Sequence, residues 1–74
     1  MNKEKEEAWE MIFSSTLMYR VELLKELLEN EDIPAVIMNK KDSSYLAFGE
    51  VELYTLRDDV LRAKQIVNKF LADE

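Results

Sequence analysis

Apolar and polar positions along this chain change their period several times, and each change marks an element. In AWEMIFSS, Trp9, Met11 and Phe13 alternate with Ala8, Glu10 and Ile12, the two-residue period of a strand. Ser14, Ser15 and Thr16 follow, hydroxyl side chains suited to the free N–H groups of a helix start. Leu17, Val21, Leu24 and Leu28 then recur at spacings of three and four with Leu27 beside them, while Glu22, Glu26 and Glu29 take the opposite side. That spacing predicts an amphipathic helix from about Leu17 to Glu31. Asn30, Glu31 and Asp32 end the period, and Pro34 disfavours helical backbone at Ile33.

A second strand is expected at Ala35 to Met38, interrupted by NKKDSS. GEVELYTL alternates again, with Val51, Leu53 and Thr55 on one side and Glu50, Glu52 and Tyr54 on the other. The last segment gathers Val60, Ala63, Ile66, Val67, Phe70 and Leu71 into one helical arc, joined by Leu56 at its start. Asp58 and Asp59 occupy its first turn, where the helix dipole favours negative charge, and Asp58 stands four residues before Arg62 in the favourable acid-first order.

Strand, helix, strand, strand, helix is the order of a split crossover, in which the third strand enters between two parallel ones. The expected fold is α+β, a ferredoxin-like βαββα domain without its final strand. Its three-stranded antiparallel sheet has order 1-3-2, and both helices pack on one face. Residues 1–7 are polar and aperiodic and read as a flexible leader, with 8–74 as a single domain. Trp9, Met11, Phe13, Val51 and Leu53 are assigned to the helix side of the sheet. Ile12 and Tyr54 are left on the outer face among Glu10, Glu50 and Glu52. That face reads either as ordinary exposure or as a partner or dimer surface, and the first strand is an unpaired edge beside it.

Charge and composition narrow the function classes. Sixteen acidic residues against ten basic ones give a net charge of -6, which repels nucleic acid and anionic lipid, so neither is expected as a partner. The chain has no Cys and therefore no disulfide framework. The start MNKEKEEAWE lacks the apolar stretch of a signal peptide, and no window approaches the ~18 apolar residues of a membrane span. A soluble cytoplasmic protein is expected.

With neither His nor Cys, the usual bases and nucleophiles are missing. Ser43 and Ser44 lie near Lys40 and Lys41, but in a polar turn and not beside a buried lysine. Asp42, Glu50 and Glu52 do not follow a calcium-loop pattern, and Gly49 is the single glycine, too few for a phosphate cradle. No enzyme, catalytic residue, cofactor or metal is expected. The stretch KKDSSYLAFGE leaves two readings open. It is either a compact turn held by its own side chains, or a recognition loop offering Asp42, Ser43, Ser44 and Tyr45 to a ligand or partner.

The stretch from WEMIFSSTLMYRVELL through NKKDSSY and FGEVELY, followed by a helix containing DDVLRAKQIV, resembles a family of small bacterial domains of unknown function. Its members are labelled signal-transducing and are similar in fold to the PII (GlnB-type) regulators. NKKDSSY with FGEVELY resembles the Bacteroidetes subgroup, and the resemblance runs from about Trp9 to Leu71. It implies a regulatory or binding role. The exposed first-strand edge, Ile12, Tyr54 and the polar groups of the Asp42 to Tyr45 loop make the expected form of that role a non-enzymatic regulatory or protein-interaction module. Its partner is then an unidentified protein, a small ligand, or a second copy forming a homodimer through the open sheet edge or face. The alternative that the resemblance implies is a PII-like sensor of a nucleotide or metabolite. The glycine-with-basic phosphate run of the PII proteins is missing here, so the resemblance carries over no nucleotide-binding residue.

Overall fold

The computed structural model describes residues 8–39 and 50–73. The expected leader, 1–7, lies outside them. The elements are β1 (Trp9–Ser15), α1 (Met18–Asn30), β2 (Ala35–Asn39), β3 (Val51–Leu56), a 3₁₀ turn (Arg57–Asp59) and α2 (Val60–Ala72). β3 is the central strand and both neighbours run antiparallel to it, giving the order β1-β3-β2. This is the expected βαββα layout, with α1 as the crossover between two parallel strands.

Alternation in β3 sorts its side chains as the sequence predicts, with Val51, Leu53 and Thr55 fully buried. They meet Val21, Leu24 and Leu28 of α1 and Ala63 and Val67 of α2 in one core, with Ile33 and Ala35 at its end. Thr55 is the one polar residue buried among the described residues, and its hydroxyl donates to the Pro34 carbonyl at 2.6 Å. That bond satisfies a group whose burial unpaired would cost about 1–3 kcal/mol, and it ties β3 to the start of β2.

The assignment of β1 needs correction. Met11 pairs with Tyr54 and Phe13 with Leu53, so β1 advances two residues where β3 advances one, and Ile12 is the extra residue of a β-bulge. Side chains opposite one another share a face. Trp9 and Met11, opposite Leu56 and Tyr54, therefore lie on the open face, while Phe13, opposite Leu53, points to the helices. Ile12, expected outside, packs against the core beside Phe13. Strict alternation breaks because the bulge places two successive side chains on one side.

Both helix ends differ from their expected form. Leu17 precedes α1 in extended backbone, and the helix has no side-chain cap; the Ser15 hydroxyl instead accepts the Leu17 N–H at 3.0 Å. Leu17 and Leu27 stay exposed, so the buried stripe is narrower than predicted. At the other end Asp32 has φ 64°, and the N–H groups of Asp32 and Ile33 reach the carbonyls of Glu29 and Leu28 at 3.0 Å each. These are the paired bonds of a Schellman stop, with Ile33 and Leu28 both buried as its apolar contact. Arg62, expected to pair with Asp58, instead donates to the Glu31 carbonyl at 3.2 Å, so α2 helps to close the end of α1. Asp58 and Asp59 fall in the 3₁₀ turn before α2, and Leu56 lies on the open face by its pairing with Trp9 rather than in the α2 arc.

Asp32 holds a left-handed conformation that glycine adopts without steric penalty. Asp32→Gly is therefore expected to raise stability by about 0.5–1 kcal/mol, and Asp32→Val to lower it by about 1–2 kcal/mol. Urea denaturation checks both; a glycine variant with a lowered midpoint would show that Asp32 carries no backbone cost.

Candidate functional site

The helices cover one face of the sheet and leave the other open, and the strand register arranges that open face in rows. Trp9 lies beside Leu56; Met11, Tyr54 and Val36 form a middle row across all three strands; Ser14, Glu52 and Met38 form the next. Trp9 is 43% exposed, Met11 48%, Val36 42% and Met38 48%. Such a concentration of large apolar side chains on one flat surface differs from scattered surface leucines, which need no explanation. Among the described residues no aromatic side chain is fully buried, so the aromatic content of the fold lies at its periphery and not in its centre.

The bulge and the pleat produce this surface together. The bulge admits Ile12 and Phe13 to the core, and the pleat then leaves Trp9 and Met11 on the far side. Glu10, on the helix side by its pairing with Thr55, avoids burial by bonding the Arg57 guanidinium at 3.1 Å near the sheet's end. That pair is exposed and adds well under about 1 kcal/mol.

At the centre of the face, the Tyr54 hydroxyl donates to the Glu52 carboxylate at 2.8 Å. This hydrogen bond, with a smaller contribution from desolvation and from the charge of Glu52, pushes the Tyr54 phenol above the usual tyrosine range. The carboxylate is thus held against the ring it neighbours. Among the described residues no three His, Cys, Asp or Glu side chains come together to hold a metal.

Of the residues singled out from sequence, Tyr54 sits at the centre of the face and Ile12 does not belong to it. Asp42, Ser43, Ser44 and Tyr45 lie outside the described residues. Trp9, Met11, Val36 and Met38 escaped the sequence reading. The pattern of β2 alone does not say which of its alternate positions faces the helices; pairing with β3 does, since Ala35 lies opposite buried Thr55 and Val36 opposite Tyr54. A second apolar surface lies between the helices, a groove of about 330 Å³ lined by Leu27 of α1, by Glu31 just after that helix, and by Ile66, Lys69, Phe70 and Asp73 at and beyond the end of α2. The Arg20 guanidinium stands 5.9 Å from the centroid of the Phe70 ring nearby.

Residues 9–70 match the model of a family described as "putative prokaryotic signal transducing protein". The chain belongs to that family. The match covers every strand of the sheet and nearly all of α2. No curated protein and no solved structure matches the chain. No helix among the described residues is long and apolar enough to cross a membrane.

Replacing the Glu52 carboxylate with a neutral amide removes the charge that holds the Tyr54 proton. In Glu52→Gln the Tyr54 pKa is expected to move back down toward the ordinary tyrosine value. The ring carbon shift of Tyr54 followed by NMR through the alkaline range reads this directly; an unchanged titration would break the assigned pairing.

Proposed function

We propose that this chain is a non-enzymatic regulatory module that acts by protein contact through the open face of its sheet. The observation that carries this reading is the row structure of that face, with Trp9 and three further large apolar side chains each about half exposed around Tyr54. Interface centres are rich in tryptophan, tyrosine and methionine and poor in charge, which describes this face. The absence of His and Cys from the whole chain further favours binding over catalysis. The family description, signal transduction, is a role for which a small contact module is suited.

Photo-crosslinking in cells tests it. A benzophenone amino acid at Val36, on the open face, is expected to give a defined protein adduct. The same probe at Leu61, 78% exposed on α2, is expected to give none. A bare Val36 probe, or equal labelling at both positions, would remove the open face as the working surface.

A second reading, a PII-like sensor of a nucleotide or metabolite, has the groove between the helices in its favour. Its volume is at the lower end of ligand pockets. Glu31 and Asp73 in its lining oppose anions, while Lys69 in the lining and Arg20 over the Phe70 ring favour them. This reading requires that ATP, a cyclic nucleotide or 2-oxoglutarate shift the amide signals of Ile66 and Phe70. Unchanged signals at millimolar ligand would remove these compounds.

A further inference from the structure

We propose that the occupant of the open face is a second copy of this chain, packed face to face with its two-fold axis at Tyr54 and perpendicular to the strands. The proposal rests on the open face being the binding surface. Three observations support self-association there.

The first is charge. Among the described residues the only charged side chain within the rows is Glu52, bonded to Tyr54, and the rows hold no cationic group to attract an acidic partner. An axis perpendicular to the strands sets the Glu52 end of one copy against the Leu56 end of the other. With about 3.3 Å per residue and about 10 Å between packed sheets, the two Glu52 positions then stand about 16 Å apart, beyond the screening length of about 8 Å. An axis along the strands would instead stack Glu52 on Glu52.

The second is shape. The same axis lays the middle row on itself, Met11 on Met11, Tyr54 on Tyr54 and Val36 on Val36. It places Trp9, the largest side chain of the face, over Ser14, the smallest. Large against small across facing layers is how sheets interdigitate. The third is area. Trp9, Met11, Val36 and Met38, each about half exposed, with the partly exposed Ser14, Glu52, Tyr54 and Leu56 around them, offer on the order of 500 Å² per copy. Apposing two copies removes about 1,000 Å², the lower bound for a specific interface. The bulge at Ile12 blunts the β1 edge and argues against edge-to-edge pairing at that strand.

Such an interface associates weakly. Sedimentation of the purified chain is expected to show the mass doubling from 8.7 kDa between about 10 µM and about 1 mM. Trp9, the single tryptophan, should shift its emission to the blue over the same range. Because Met11 faces its own copy, Met11→Glu and Met11→Lys should each weaken association at least about tenfold. An equimolar mixture of the two should restore it, which a variant that merely failed to fold could not do. A monomer at about 1 mM with unshifted Trp9 emission overturns the second copy as occupant, while a Val36 adduct with a different protein would leave the binding face standing. A mass that doubles without a Trp9 shift overturns the face. Restoration of Met11→Glu by Val36→Lys, and not by Met11→Lys, overturns the axis.

Discussion

One extra residue in β1 governs how this small fold distributes its apolar groups. Between Met11 and Phe13 the strand gains Ile12 without a partner on β3, and from that point its side chains change face. Ile12 and Phe13 turn inward and pack on the core, while Trp9 and Met11 stay on the open side. A regular strand in the register set by Trp9 and Met11 would have put Phe13 outside with them. The core would then lose an aromatic contact, and the open face would gain a third large apolar group from one strand.

The interior that results is built from aliphatic side chains of modest size, with Thr55 bonded to Pro34 as its polar member. A domain of this length buries only about 60% of the surface its unfolded chain exposes. Local closures therefore matter more than in a larger protein. The end of α1 has two: the Schellman bonds around Asp32, and the Arg62 side chain that reaches across from α2 to the Glu31 carbonyl. Together they satisfy carbonyls that a helix end leaves without partners and fix the direction in which the chain enters β2. The position of β2 in turn sets Val36 and Met38 on the open face, so the helix stop and the proposed binding surface are linked through backbone geometry.

An open sheet face carrying a tryptophan, two methionines and a valine is costly to leave in water, at about 25 cal/mol per Å² of apolar surface. Covering it recovers that free energy, and a marginal domain gains stability from whatever covers it. A signalling role accords with this physics: a contact near the lower limit of specific interfaces forms and dissociates readily, so occupancy follows concentration.

How far the sequence alone reached can be judged residue by residue. Period and breakers determined the element order, the helix face of Val21, Leu24 and Leu28, the sorting of β3, and, through the residue motifs, the family. These depend on regular geometry, where a side chain's direction follows from its position in the chain. The tertiary structure decided what regular geometry does not contain. The bulge in β1 falls in the apolar run of Met11, Ile12 and Phe13, where the sequence does not say which of the three turns inward. Asp32 occupied a conformation for which glycine is the usual signal. Arg62 chose a carbonyl on another helix over the acid four residues before it. The two faces of β2 became distinct only through pairing with β3, because a short strand carries no internal reference to the core; that pairing turned Tyr54 from an isolated exposed aromatic into the centre of a surface.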